Sequence, residues 1–244
     1  MRVKMIVQYL GTNYSGWQVQ PNQDTIQGRI EDAIKNVTNE DVEVYSSGRT
    51  DAGVHAKAQV AHFDTNTRIK AEKLAYAINA HLPSDIRVLD TQAVDDDWHA
   101  RFDVKQKTYH YYFYASEVDL PILSSTFARV RTDFDYHRAV SNIGEFLGEH
   151  DFAGFCSANT QASSTVRTIF DISLDDLGES KYRLSVTGNG FLYNMVRIIA
   201  GTIIEIGCGK IDGSKLKEII ASKDRNRAGR TASACGLQLF EVKY

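Results

Sequence analysis

The sequence predicts an α+β fold made of two split-βαβ (ferredoxin-like) halves on one continuous mixed sheet, with a central cleft between them. The patterns of the first hundred residues follow the order β-α-β-β-α-β, and the later residues roughly repeat this order with longer helices. A chain of 244 residues suits one large domain or two small ones. The cluster Asp95–Phe102 interrupts the regular patterns, so the two halves are predicted at 1–100 and 101–244.

In the first half, isoleucines at helical spacing predict a helix. Ile26, Ile30 and Ile34 repeat every four residues, and Asp24 with Gln27 forms a capping-box-like start. The other predicted elements of this half are strands over Val3–Leu10, Val42–Ser46, Ala58–Phe63 and Ile86–Val94, and a helix over Ala71–Leu82.

In the second half, strict alternation and many aromatic residues predict a strand over Val104–Tyr114. The alternation places Tyr109, Tyr111 and Phe113 on one face of this strand. The other predicted elements are strands over Val166–Leu174, Tyr182–Thr187 and Leu237–Tyr244, and helices over Tyr136–Leu147, Phe191–Ile206 and Lys215–Ala221.

The composition is that of an ordinary globular enzyme, with 43% hydrophobic and 24% charged residues. The three cysteines, Cys156, Cys208 and Cys235, have no short pairing, which argues against a disulfide scaffold or a structural zinc site. The sequence lacks the layout of a signal peptide and any apolar run long enough to span a membrane. We therefore expect a soluble, cytoplasmic protein.

The charge is distributed unevenly along the chain. The formal net charge of −3 argues weakly against a nucleic-acid partner, because phosphate binders usually carry a basic surplus. Between Lys210 and Arg230, however, seven basic residues are interrupted by only three acidic ones. This stretch is either a solvated helix face with a polar loop, or a local patch that binds RNA.

A polar segment, Gly48–His55, lies between two predicted strands and combines reactive groups with glycines. Aspartate and glycine are common in turns, so the segment can be no more than a turn. Its glycines also allow close approach of a ligand, and Arg49 supplies charge for RNA phosphate or stacking two residues before the carboxylate of Asp51. The segment is therefore the first candidate for a reactive site.

Two further segments carry candidate groups. Arg197 lies among apolar residues of a predicted helix and needs an acidic partner, which is either any structural carboxylate or Asp51. Lys105–Tyr112 has the basic and aromatic texture of a base-stacking platform, although aromatic strands are also common in cores. The sequence has neither the histidine and cysteine spacings of metal sites nor a glycine-rich phosphate loop, so no metal or nucleotide cofactor is expected.

These segments belong to five ordered blocks by which the chain resembles the TruA family of tRNA pseudouridine synthases nearly end to end. The Gly-Arg-Thr-Asp-Ala-Gly-Val-His signature of that family occurs here without change. The five blocks are Tyr14–Gln20, Gly48–His55, His99–Phe102, Lys107–Tyr111 and Asn189–Gly201. The chain departs from the family at Ala228–Ala234, where Arg230 and Ser233 stand in place of the usual prolines, and at Leu10, where an aspartate is common.

The resemblance implies the pseudouridine synthase fold and the isomerisation of uridines 38 to 40 in the tRNA anticodon stem-loop. It implies catalysis by Asp51, stacking of Tyr109 on the target uracil, and a salt bridge from Arg197 to Asp51. It also implies that Arg49 helps to displace the target nucleotide and that Leu237 lines the pocket. Members of the family work as homodimers, with one tRNA crossing both subunits and without metal or cofactor, and the second half is expected to form the dimer.

Three functions are compatible with these observations. The first is a tRNA pseudouridine synthase, in which a carboxylate attacks the sugar or the base, or abstracts a proton. The second is a catalytically inactive tRNA-binding or chaperone protein on the same fold, in keeping with the mild acidity of the chain. The third is an unrelated small-molecule enzyme built from split-βαβ halves. The five blocks favour the first.

Overall fold

The computed structural model describes residues 1–131, 133–158 and 162–244, which form two compact units. The first unit consists of Met1–Lys105 and Gln238–Tyr244, and the second consists of Gln106–Leu237. The sequence-based halves met at residue 100 and kept the last strand in the second half, so the observed division differs in both respects. From Gln238 onward the last strand belongs to the first unit, where it pairs with a strand of that unit.

The described residues form strands and helices, with short 3-10 turns between several of them. Their order is β1 (Arg2–Tyr9), α1 (Ile26–Thr38), β2 (Tyr45–Ser46), β3 (His55–Asp64), α2 (Ala71–Asn79), β4 (Ile86–Val94), β5 (Gln106–Ala115), β6 (Ala128–Val130), α3 (Tyr136–Val140), β7 (Gly148–Asp151), β8 (Val166–Gly178), β9 (Lys181–Gly188), α4 (Met195–Gly207), α5 (Leu216–Ser222) and β10 (Leu237–Lys243).

The sheet of the first unit has the strand order β4-β1-β3-β10, with β2 also paired to β3. β1 runs antiparallel to β3 and β4, whereas β10 runs parallel to β3 and places Gln238 opposite His55. Together with α1 and α2, the first four strands follow the predicted order β-α-β-β-α-β. The second strand is shorter than the predicted Val42–Ser46, because only Tyr45 and Ser46 pair with β3.

The first helix buries the face that its periodicity predicts. α1 buries Ile26 and Ile30, and alternate residues of β1 are also buried. The helix begins after Thr25, whose side chain accepts a hydrogen bond from the Gly28 amide (3.3 Å). The prediction that Asp24 caps the helix is wrong, since its carboxylate forms a salt bridge with an arginine of α1 instead.

The second unit has the strand order β5-β9-β8-β7 in antiparallel pairs, with β6 added parallel to β5. Two of its helices differ from their predicted bounds by more than one residue. α3 is much shorter than predicted and ends at Val140, because Asn142 leaves helical backbone geometry (φ −127°, ψ 13°). α4 was predicted to begin at Phe191 but begins at Met195, after Asn194 in the left-handed region (φ 62°).

Each unit combines helices with a mixed sheet, which confirms the predicted α+β class. The most apolar helix, α4, has 11 buried residues among its 13. Neither α4 nor any other helix in the described part of the chain is long and apolar enough to cross a membrane.

Candidate active site

Asp51 lies in the segment between β2 and β3, residues 47–54, here termed the Asp loop. The carbonyl oxygen of Asp51 accepts a hydrogen bond from the Val54 amide (3.1 Å), and Gly53 has a φ of 77°. The segment is therefore a tight turn, as its composition indicates. Asp51 is half-buried in this turn, and Arg49 is exposed.

The turn-rich segment between β1 and α1 packs directly against the Asp loop. Gly16 has a φ of 96°, and a Cβ atom there would lie 2.7 Å from the Thr50 carbonyl oxygen and 3.2 Å from the Asp51 carbonyl carbon. The Trp17 amide donates a hydrogen bond to the same Thr50 oxygen (3.0 Å). The block Tyr14–Gln20 thus supports the backbone of the Asp loop, a role for which its glycine was the only sequence signal.

Four polar side chains are buried around the base of the Asp loop: Tyr9, Ser47, Thr50 and Gln59. The Tyr9 hydroxyl lies 2.8 Å from the Thr50 hydroxyl, and the Ser47 hydroxyl donates to Gln59 Oε1 (2.6 Å). Gln59 Nε2 in turn donates to the Gly48 carbonyl oxygen (2.8 Å). We call these residues the polar set. Sequence reasoning included Thr50 only as part of the Gly48–His55 segment and missed the other three, because the set comes from β1, the loop and β3.

In the second unit, Tyr109 is buried on β5, opposite Val186 of β9. Its ring is perpendicular to that of Phe191, with the ring centroids 5.3 Å apart. Tyr111 and Phe113, predicted on the same face of the strand, are buried as well. The aromatic strand therefore belongs to the core, and Tyr109 is the member of its row that contacts the segment leading into α4.

Arg197 lies in the first turn of α4 and is half-buried. Its Nε donates to the Ala232 carbonyl oxygen (2.8 Å), and its Nη1 donates to Asn194 Oδ1 (2.8 Å). The Ala232 amide donates to the Arg197 carbonyl oxygen (3.1 Å). Because the donors of a guanidinium group form a rigid planar fork, these contacts fix the orientation of the whole group.

The segment that departs from the TruA pattern, Ala228–Ala234, is anchored within the second unit. The Gly229 amide donates to a threonine hydroxyl of α4 (2.9 Å), and the Ser233 carbonyl oxygen accepts a hydrogen bond from the Tyr111 hydroxyl (3.0 Å). The segment therefore connects α4 with β5. Leu237 follows it and is buried.

The basic stretch Lys210–Arg230 is partly neutralised within the second unit. Arg225 donates to the Gly229 carbonyl oxygen (2.9 Å) and to the Thr231 hydroxyl (3.1 Å), so it holds the backbone of its own segment. Three other members form ion pairs: Lys223 with Asp151 (2.8 Å), Arg227 with Glu218 (3.8 Å) and Arg230 with Glu205 (3.7 Å). In the described part of the chain, Lys210, Lys215 and Lys217 are exposed and take part in none of these three ion pairs.

Comparison with known proteins identifies the family. The family model described as tRNA pseudouridine synthase matches residues 5–103 and 143–244. This chain belongs to that family. A tRNA pseudouridine synthase A of Brevibacillus brevis is 44% identical over 243 residues, which cover 100% of this chain and 99% of that protein. The protein of the same name from Acetivibrio thermocellus is 46% identical over 243 residues, which cover 99% of each chain.

A solved Cbf5-Nop10-Gar1 complex also matches, at 14% identity with a TM-score of 0.39 over 97% of this chain and 57% of that one. This likeness is too weak to support any conclusion about the synthase.

The five site residues predicted for the synthase lie in two places. Asp51 and Arg49 lie on the Asp loop of the first unit, whereas Tyr109, Arg197 and Leu237 lie in the second unit, on β5, on α4 and at the start of β10. The family model matches the positions of all of them except Tyr109, which falls between its two ranges. In the described ranges, no three His, Cys, Asp or Glu side chains are grouped so that they could hold a metal ion.

Proposed function

We propose that this synthase converts uridine to pseudouridine at positions 38 to 40 of the tRNA anticodon stem-loop. The observation that carries the proposal is the unchanged Gly48–His55 signature in a chain that matches the family over most of its length. The full-length relatives named tRNA pseudouridine synthase A support tRNA as the substrate. Apart from the mild acidity of the chain, no observation favours an inactive tRNA-binding protein, and none favours an unrelated small-molecule enzyme.

The reaction replaces one bond to the sugar with another. The N1–C1′ glycosidic bond breaks and N1 takes up a proton, the uracil ring turns, and C5 bonds to C1′ and releases its own proton, so the product is an isomer of the substrate. A carboxylate suits this reaction as a nucleophile, because it is already ionised at neutral pH and forms covalent intermediates readily. We assign this role to Asp51; attack on C1′ and attack on the uracil ring both use the same carboxylate.

The target nucleotide must leave its stack before it can react, at a cost of a few kcal/mol. We propose that Tyr109 stacks on the freed uracil, which contributes about 1–3 kcal/mol. In this proposal Arg49 helps to displace the nucleotide and Leu237 forms an apolar wall, in keeping with the exposure of the first and the burial of the second.

Tyr109→Ala and Arg49→Ala should each lower the rate of product formation at least tenfold, and Leu237→Ala should lower it less. If one of these variants keeps full activity, the residue that it replaces has no part in the site.

We further propose that Arg197 is the cationic partner of Asp51 and keeps its carboxylate ionised. A fixed, half-buried guanidinium favours the ionised form of a carboxylate that it contacts. Replacing Arg197 with Met should therefore move the acidic limb of the pH–rate profile up by about one to three pH units. Arg197→Lys, which keeps the charge, should move it less. An acidic limb that stays in place in both variants rejects the pairing.

The nucleophile is tested with Asp51→Asn and an unmodified tRNA transcript. The variant should bind the transcript with unchanged affinity and form no pseudouridine, because only the reacting atom is altered. The exposed Asp32 on α1 provides the control, since Asp32→Asn should remain fully active. Mapping of the product should place it at positions 38 to 40. Retained activity in Asp51→Asn would falsify the assignment of the nucleophile.

The remaining parts of the proposal concern assembly and location. We propose that the synthase works in the cytoplasm as a homodimer, with one tRNA crossing both subunits and with neither metal nor cofactor. Light scattering should then give twice the 27.3 kDa of the single chain. Activity should survive exhaustive dialysis against a chelator. A fully active monomer, or activity that returns only with added metal, contradicts these statements.

A further inference from the structure

The side chains of the polar set around the base of the Asp loop are buried although they are polar. Tyr9, Ser47 and Gln59 are at most 2% exposed, and Thr50 is 7% exposed. Polar groups in such places cost stability unless they are hydrogen-bonded. Their bonds therefore indicate what the set holds in place.

The bonds of the polar set converge on the residues that precede Asp51. The Thr50 hydroxyl forms a hydrogen bond with the Tyr9 hydroxyl, and the Ser47 hydroxyl donates one to Gln59. The Gly48 carbonyl oxygen accepts a hydrogen bond from Gln59. The Ser47 amide also donates to the carbonyl oxygen of Val60 on β3 (2.7 Å). Three of the four residues before Asp51 are thus tied to the strands β1 and β3.

The polar set also complements the support that the loop receives elsewhere. The Trp17 amide binds the Thr50 carbonyl oxygen, and Gly16 packs against the backbone of Thr50 and Asp51. Thr50, which directly precedes Asp51, is therefore held through both its side chain and its backbone. A small displacement of Thr50 would be passed to the Asp51 carboxylate, because the two residues share a peptide plane.

We propose that Tyr9 and Gln59 are positioning residues of the isomerisation, which set the place of the Asp51 carboxylate through Thr50, Ser47 and Gly48. This proposal rests on Asp51 being the nucleophile. The two residues act through the loop, because they are buried beneath it and have almost no surface that RNA could reach. Their loss should lower the rate of the chemical step and leave tRNA binding unchanged.

The set should act by geometry and not by charge. Burial raises the pKa of the Tyr9 phenol, so the hydroxyl stays neutral over the working pH range. The other members of the set carry no charge. Removing the Tyr9 hydroxyl should therefore leave the pH–rate profile in place, in contrast to the shift expected for Arg197→Met. Misplacing a reacting group by about 1 Å can lower a rate by about a hundredfold.

The experiment measures single-turnover rates at saturating enzyme, which isolates the chemical step from product release. Tyr9→Phe, Thr50→Val and Gln59→Met should each lower this rate about tenfold, with the Kd for tRNA unchanged within about twofold. Thr50→Ser, which keeps the hydroxyl, should restore most of the rate. Tyr9→Phe combined with Thr50→Val should be no slower than the worse single variant, because both remove the same hydrogen bond.

Matched controls separate positioning from general stability. Tyr244→Phe removes a hydroxyl that donates to the Ala100 carbonyl oxygen (2.7 Å), and Thr91→Val removes one that donates to the Ala71 carbonyl oxygen (2.7 Å). Both lie in the first unit and outside the Asp loop, since Thr91 is on β4 and Tyr244 follows β10. These controls should lower the melting temperature as much as Tyr9→Phe and Thr50→Val do, with no change in the single-turnover rate.

Three results would overturn the inference. The first is an unchanged rate in Tyr9→Phe and Thr50→Val; the second is an equal loss of rate in the controls; the third is a rise in Kd that accounts for the whole loss. If Tyr9→Phe fails to fold, the comparison of Thr50→Ser with Thr50→Val decides alone. Activity in Asp51→Asn would instead reject the proposed nucleophile, and thus the basis of the inference, so the two failures are distinguishable.

Discussion

His62 lies at the centre of a cluster of rings in the first unit and is almost fully buried. Its Nδ1 accepts a hydrogen bond from the Ala100 amide (3.2 Å), Tyr45 stacks on it at 5.3 Å, and the ring of His99 lies 4.7 Å away. Burial, followed by the neighbouring His99, lowers the pKa of His62 to about 4. The cluster is therefore built around a neutral imidazole.

The synthase should lose stability as the pH falls from about 6.5 to about 4. The unfolded chain takes up a proton on His62 near the ordinary histidine pKa of about 6.5, whereas the folded protein excludes it until the pKa of about 4 is reached. The contribution of neutral His62 to the free energy of unfolding is thus complete above pH 6.5. It declines by up to about 3 kcal/mol as the pH falls from about 6.5 to about 4. Urea unfolding at several pH values measures the loss.

The control for this prediction is His62→Asn, which keeps an acceptor for the Ala100 amide but does not titrate. Its free energy of unfolding should vary less with pH between 4 and 6.5. Part of the slope should remain, because burial also lowers the pKa of His99. An unchanged slope would show that other groups cause the loss.

At the scale of single residues, the sequence identified candidates wherever the local composition is unusual. Asp51 and Tyr109 lie in segments whose glycines or aromatics distinguish them from their surroundings. Tyr9 and Gln59 could not be found in this way, since each looks like an ordinary strand residue. The pairing of Tyr9 with Ala56 across two strands brings them to the same loop, and such register is set by tertiary structure.

The first helix shows how a single hydrogen bond sets the end of an element. Asp24 and Thr25 are both good N-cap residues, and the sequence favoured the first because of Gln27. In the structure Thr25 is buried and accepts from the Gly28 amide, whereas Asp24 is exposed and its pKa is lowered by the neighbouring Arg29. The buried residue of the two, Thr25, is thus the one that caps the helix.

Thr25→Ala should lower the free energy of unfolding by about 1 kcal/mol, because it leaves the Gly28 amide without its cap. Asp24→Ala should cost less than about 0.5 kcal/mol, since an exposed salt bridge contributes little. Thr25→Ser keeps the capping oxygen and should be close to the original protein. Urea midpoints of the three variants provide the measurement. A larger loss in Asp24→Ala than in Thr25→Ala would restore Asp24 as the cap.

Among the elements, the strongly patterned strands were predicted best. β4 spans the predicted Ile86–Val94 to the residue, and β5 is displaced by no more than two residues. α3 was predicted too long because its apolar spacing continues beyond the point where Ser141 and Asn142 interrupt it. The Ser141 hydroxyl donates to the Arg138 carbonyl oxygen (2.9 Å), so a local side-chain bond competes with helical continuation.

At the scale of the whole molecule, variants of the basic stretch Lys210–Arg230 distinguish charges that stabilise the fold from charges that bind RNA. Arg225→Ala should lower the free energy of unfolding by about 1–3 kcal/mol, because its guanidinium bonds the backbone of its own segment. The dependence of tRNA affinity on salt should not change. Arg227→Ala removes only an exposed pair with Glu218 and should change stability by less than about 1 kcal/mol.

Filter binding over a range of salt concentrations and urea unfolding provide the two measurements for Arg225→Ala and Arg227→Ala. A stable Arg225→Ala variant whose salt slope falls by about one would show that Arg225 contacts a phosphate. The same fall in Arg227→Ala alone would assign RNA contact to the exposed part of the stretch.

The order of elements in the first unit was readable from the sequence, but the position of the last strand was not. β10 has the ordinary pattern of a strand and gives no sign of its partner. One strand that it pairs with, β3, lies about 180 residues earlier, and there Gln238 and Leu239 face His55 and Ala56. Pairing between residues so far apart in sequence is set by tertiary structure.

The parallel pairing of β10 with β3 also has a consequence for the order in which the first unit folds. Residues far apart in sequence lose more chain entropy on pairing than residues close together, so their contacts form slowly. β10 pairs with β3 at His55, immediately after the Asp loop. We therefore expect the strand pairing next to the Asp loop to form later than the local contacts of α1 and α2.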